Sequence, residues 1–130
     1  MAGTLSSTAA KQGLDGITNG AVWIDLYENT TLLIRFPVVF GAATTALPSV
    51  STIQNLPVSA TAVGTGNANV AKIVTNSGDV RWELSGSDAI GLTGQTGYFI
   101  TVTNKSFATG QSGNLTGGYL SLSGVISTAS

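Results

Sequence analysis

The sequence predicts an all-β fold, a single antiparallel β-sandwich or jelly-roll-like domain with a short N-terminal helix. Three observations carry that expectation. Roughly seven or eight short runs of alternating apolar and polar residues follow one another along the chain. Turn chemistry in Gly, Asn, Ser and Pro separates them. The 130 residues make one domain's worth of chain, enough to bury a core, with no repeat or linker to divide it. Residues 1–19 read as an N-terminal arm with the helix and residues 20–130 as the β body.

The helix comes first. Ser6 or Ser7 can cap it, Ala10, Leu14 and Ile17 recur at helical spacing, and Gly16 is the expected stop. So short a helix needs its Leu14 face docked on the body to be stable. The first strand is Ala21 to Tyr27, with Val22, Ile24 and Leu26 on one face and Trp23, Asp25 and Tyr27 on the other. A tight turn at Glu28-Asn29-Thr30 leads into Thr31 to Phe40. Pro37 cannot donate to a ladder and marks an edge, a bend or a change of sheet.

Val50 to Ile53 and Val58 to Val63 are weaker strands bounded by Pro48 and Pro57. Asn69 to Thr75 and Asp79 to Ser85 form a hairpin about Asn76-Ser77-Gly78. In its second strand Val80, Trp82 and Leu84 alternate with Asp79, Arg81 and Glu83, the pattern of a half-buried strand. Gly97 to Thr103 and Tyr119 to Ser127 complete the set. Between them Asn104 to Gly118, polar and rich in glycine, reads as a long surface loop.

Composition narrows the chemistry. The chain has neither histidine nor cysteine, which removes Ser-His-Asp and Cys-His catalysis, zinc-thiolate sites and disulfides. Only 8% of residues are charged, against about 25% in ordinary globular proteins. The five cations, Lys11, Arg35, Lys72, Arg81 and Lys105, are scattered. No cluster could neutralise a row of phosphates or an anionic membrane, so neither nucleic acid nor membrane is an expected partner. No apolar run approaches the roughly 20 residues of a membrane span, and MAGTLSSTAAKQ lacks the apolar centre of a signal peptide. Low charge, a net charge of −1 and a hydroxyl-rich surface favour association, so much of the surface is expected to be covered in the working state.

Candidate sites are few. Asp79 and Glu83 share a strand face but stand roughly 13 Å apart, beyond the roughly 5–9.5 Å of glycosidase carboxylate pairs. With Arg81 between them they read as a solvated charged face. Asp25 and Glu28 could touch a cation, but two ligands do not make a hard-metal site, and Asp15 and Asp88 are isolated. Lys105-Ser106 lies in the expected loop, where the lysine stays solvated and inactive as a base. Gly64-Thr65-Gly66 and Gly91 to Gly97 lack the Lys-Ser/Thr of a phosphate loop and read as turns. The Asn-x-Ser/Thr triplets at Asn29, Asn104 and Asn114 are no more than a Ser/Thr-rich chain produces by chance. No catalytic, cofactor or metal residue is expected. Trp23, Tyr27 and Tyr119 are the candidate contacts for a partner or a glycan, together with Phe99 in the aromatic set. Whether Trp23 and Tyr27 face outward or lie under the N-terminal helix is open at this stage.

The opening, Leu5-Ser6-Ser7-Thr8-Ala9-Ala10-Lys11 through Leu14-Asp15-Gly16-Ile17-Thr18, followed directly by AVWIDLY, resembles small virion structural proteins of tailed bacteriophages. Those begin with an "LS-x-A-K…LD-x-L-T" helix, enter a strand with an "x-L-Y/H" ending and finish as a glycine-rich β domain. The motif-level likeness covers roughly the first 40 residues; Val80 to Leu84 and the GYFITV strand fit the same general plan. This chain departs from the pattern in lacking a "T-x-D-P" insertion after the first strand. The resemblance implies a virion component in a capsid-decoration, neck or tail-fibre position, brings no catalytic residues with it and does not choose among those positions; the expected role is a non-enzymatic capsid decoration (cement) protein bound to the major capsid protein or other virion proteins. A homotrimer is the favoured assembly, and residues 1–19 or the 104–118 loop are the natural docking arm. A tail, neck or fibre-associated domain that binds a receptor or carbohydrate is the alternative. It also implies synthesis in the host cytoplasm and location in the virion.

Overall fold

The computed structural model describes residues 2–4, 6–18, 20–46, 49–85, 89–122 and 125–127. Asp88 and Pro48 lie outside the described residues. The chain begins with β1 (Ala2–Thr4) and the helix α1 (Ser7–Thr18), followed by the hairpin β2 (Ala21–Glu28) and β3 (Thr31–Pro37). Three short strands come next: β4 (Ser49–Thr52), β5 (Val58–Thr61) and β6 (Gly66–Asn67). The second hairpin is β7 (Val70–Thr75) and β8 (Val80–Ser85). Then come β9 (Ile90–Leu92), β10 (Ile100–Val102), β11 (Ser106–Phe107), β12 (Ser112–Leu122) and β13 (Val125–Ser127).

The fold is all-β and sandwich-like, with one short N-terminal helix, as the sequence predicts. One sheet runs β3-β2-β7-β8, entirely antiparallel. The other is organised about β12, whose first residues pair with β5, whose middle pairs with β10 and whose last residues pair with β4. β9 lies on the far side of β10. β1 pairs with β13 and β6 with β11 in two small ribbons. Ile24, Leu26, Leu33, Ile34, Phe36 and Ile73 from the first sheet join Ile100, Val102 and Leu115 from the second in one buried cluster. Two apolar sheet faces cannot stay in water, and closing them on each other is what makes the domain.

The helix is capped as expected, with Ser6 Oγ accepting from the Ala9 amide at 3.1 Å. It does not stop at Gly16, which lies inside it. The helix runs to Thr18, whose hydroxyl bonds back to the Leu14 carbonyl. The chain turns into β2 at Gly20, where φ is +79°. Interior glycines, here Gly13 and Gly16, weaken a helix without ending it; the left-handed residue is what redirects the chain. Leu14 is 1% exposed and docks the helix on the body, against β4, β8 and β12. Residues 7–18 are therefore a packed element and not a free docking arm.

Three further expectations change. The stretch 104–118 is not a long surface loop. It carries β11 and the first seven residues of β12, and it buries Phe107, Gly113 and Leu115. Two of its glycines are close to core side chains: a Cβ on Gly113 would sit 2.7 Å from Ile34 Cδ1, and one on Gly118 would sit 2.6 Å from Ile53 Cδ1. In β8 the inside/outside alternation breaks. A register shift between Ile73 and Val74 sets Val80 opposite Val74 and leaves it 46% exposed, while Trp82 and Leu84 remain half-buried. And β9 pairs with β10 in parallel, Ile90 beside Ile100. Strands of three residues span so little that a short glycine-containing connection can return the chain to the same end. Within it Leu92 and Gln95 close a turn through both backbone and side-chain bonds, so of the expected turn Gly91 to Gly97 the later residues are turn structure while Gly91 and Leu92 belong to β9.

Candidate functional site: a charged aromatic sheet face

The outer face of the β3-β2-β7-β8 sheet carries a row of four charges in register. Arg35 of β3 lies opposite Asp25 of β2, Asp25 opposite Lys72 of β7, and Lys72 opposite Glu83 of β8. Residues directly opposite on antiparallel strands share a face, so the signs alternate across the sheet as +, −, +, −. Trp23 and Tyr27 stand one step to either side of Asp25 on the same strand face.

The hairpin that builds this row depends on one extra residue. The pairs Tyr27↔Leu32 and Glu28↔Thr31 are followed by Leu26↔Ile34 and Asp25↔Arg35, so Leu33 has no partner in β2. Without that bulge Asp25 would oppose Ile34 and the arginine would point into the core. Both Leu33 and Ile34 are buried, as a bulged pair on the inner side requires.

Asp25 is fully buried although it lies on the outer face. Arg35 covers it with two parallel bonds, Nε to Oδ1 at 2.8 Å and Nη2 to Oδ2 at 2.7 Å. This fork is the strong geometry for a guanidinium and a carboxylate. Hydrogen bonding to Asp25 raises the Arg35 pKa above its already high value, so the arginine is charged at every working pH. The aromatic rings complete the roof. The Arg35 guanidinium lies 5.3 Å from the Trp23 ring centre, and Lys72 Nζ lies 4.3 Å from that of Tyr27.

Trp23 and Tyr27 are thus half-buried and outward, as one of the two readings of the sequence had it, but their partners are cations of their own chain. Tyr119, the third candidate contact, is not brought together with them. It lies on β12 in the other sheet, 49% exposed, beside Tyr98 and Phe99. Asp25 and Glu28 do not converge on a cation, since Glu28 Oε2 accepts from the Asn67 amide at 2.8 Å. Asp79 and Glu83 do not converge either: Asp79 accepts from Arg81 Nε at 2.8 Å, and Glu83 lies in register opposite Lys72. Among the described residues no three acidic side chains cluster in a way that could hold a metal ion. The arrangement offers no free nucleophile beside a base. What it offers is a rigid, nearly neutral surface with arginine and aromatic groups held in place.

Sequence reading did not find Arg35 or Lys72 as members of a site, and it did not connect Trp82 and Tyr98 with Tyr119. The pairing of Asp25 with a cation ten residues along the same hairpin is the one signal that was present. No helix among the described residues is long and apolar enough to cross a membrane. Comparison with family models, with curated proteins and with solved structures finds no match to this chain.

Proposed function

We propose that this chain is a non-enzymatic structural protein of a tailed-bacteriophage virion, a capsid decoration protein that binds the assembled shell and stabilises it. The charge row Arg35–Asp25–Lys72–Glu83 with its aromatic flanks is the observation that carries the reading. Its alternating signs cancel, so the face steers no distant ion or nucleic acid. It nonetheless presents Arg, Trp and Tyr, the side chains enriched where protein interfaces are most buried. Exposed Val39, Val63 and Leu92 on a surface of few charges support the same reading, and so does the resemblance of the first 40 or so residues. The partner is the major capsid protein, and a homotrimer suits binding positions on the symmetry axes of a shell.

The mechanism is linkage. A protein that binds the closed shell and not its separated subunits raises the free energy of rupture in proportion to occupancy. Purified protein mixed with undecorated shells is expected to co-sediment at a saturating stoichiometry set by shell symmetry and to raise the shell melting temperature. Because the row is neutralised internally, binding should change little between about 50 and 500 mM salt. Glu83→Lys, at the exposed end of the row, places a third cation there and should weaken binding about tenfold while leaving the fold intact. Absence of co-sedimentation in wild-type protein would overturn the assignment.

A further inference from the structure

Tyr119 stands at the junction of two adjoining hollows, of about 250 and 260 Å³, which share Gly97, Tyr98, Phe99 and Tyr119. Trp82 and Leu84 of β8 wall the first, and Trp82 meets Phe99 edge to face at 4.7 Å. The second continues past Gln95, Thr96 and Thr101. We propose that this cleft is a binding site for a neutral carbohydrate, with a sugar ring stacked on Tyr119 and Tyr98.

The lining selects the ligand. Among the described residues neither hollow is lined by a charged side chain. A sialylated, uronic or amino sugar would lose hydration there without gaining a counter-charge. A wholly apolar segment would cover the Thr96 hydroxyl and the Gln95 Nε2 and offer them no partner, while Gln95 Oε1 already accepts from the Leu92 amide and Thr101 Oγ1 already bonds Thr116 Oγ1. A neutral pyranose satisfies both demands, because it has a C–H face for the rings and a hydroxyl edge for Thr96 and Gln95. At Gly97 the space a Cβ would take is open, so a ring can come close to the backbone there. Trp23 and Tyr27 cannot serve in this way, since Arg35 and Lys72 already lie on their faces. The inference does not rest on shell binding.

The test is an array of neutral oligosaccharides built from hexoses and N-acetylhexosamines, with sialylated counterparts as comparison, read for wild type, Tyr119→Ala and Tyr119→Phe. Tyr119 is exposed, so these changes spare the fold. The expected result is binding of at least one neutral glycan, a loss of about tenfold in Tyr119→Ala and near wild-type binding in Tyr119→Phe. Titration of the bound glycan should also shift the fluorescence of Trp82, measured in a Trp23→Phe background. Failure of every neutral glycan to bind, equal binding by Tyr119→Ala, or displacement of the glycan by a proline-rich peptide with higher affinity would each overturn the proposal.

Discussion

Removing the Arg35 guanidinium would leave the Asp25 carboxylate buried with no charged partner, and that imbalance makes the outer sheet face sensitive to single changes. Arg35→Ala is expected to destabilise the domain by about 2–3 kcal/mol in urea unfolding. This is less than a fully buried pair would lose, because the arginine side chain is 42% exposed. Replacing both partners, as Asp25→Leu with Arg35→Met, should recover most of the loss, since no charge is then stranded. If the double variant is as unstable as Arg35→Ala, the pair matters for reasons other than compensation. The sequence puts Asp25 on one strand face with the two aromatics and leaves open whether that face is outward; the structure makes it the outer one. What it hides is Arg35. The bulge at Leu33 shifts the pairing by one residue, and one residue is the difference between a cation on the face and a cation in the core.

Among the elements, the helix is fastened to the body by more than Leu14. Asp15 accepts from Lys11 Nζ at 2.6 Å and from the Ala43 amide at 2.9 Å, tying α1 to the segment that leads out of the first hairpin. The Lys11 hydrogen bond, followed by that from Ala43, holds the Asp15 pKa below its ordinary value. A carboxyl whose pKa is lowered by folding contributes stability above the unfolded-state value and loses it as pH falls through the folded one. The difference in melting temperature between wild type and Asp15→Asn should therefore be steady above about pH 5 and shrink below about pH 4. A difference that persists undiminished at lower pH would rule out the carboxylate as its source. In β12, Gly113→Ala would press a methyl against Ile34 Cδ1 at 2.7 Å and Phe107 Cε1 at 2.9 Å. The expected cost is about 1–3 kcal/mol by thermal denaturation, partly relieved by adding Ile34→Val. That same strand was opaque to pattern reading. Glycines and hydroxyls mark a loop when the neighbours are unknown, and only the close approach of the opposing core side chains shows why a strand here needs them. The parallel β9–β10 pair was hidden for a similar reason, because three-residue strands leave no periodicity to read.

At the scale of the whole molecule, the fold class, the helix with its Ser6 cap and the two hairpins were legible, since each rests on local periodicity and turn chemistry. The partition into sheets was not, because β12 serves three partners in turn and nothing local encodes which strand lies beside which. The pairing of Ala2–Thr4 with Val125–Ser127 has a consequence for how the polypeptide can be cut and rejoined. Register partners on neighbouring strands sit only about 5 Å apart, so Ala2 and Ser127 lie side by side. A tether of a few residues could join Ser127 to Ala2, and the chain could be opened instead at Ser77, an exposed tip between β7 and β8. Such a circular permutant should keep the wild-type far-ultraviolet circular dichroism spectrum and a cooperative melt. A permutant that stays unfolded would mean that assembly depends on the order in which the chain presents its strands.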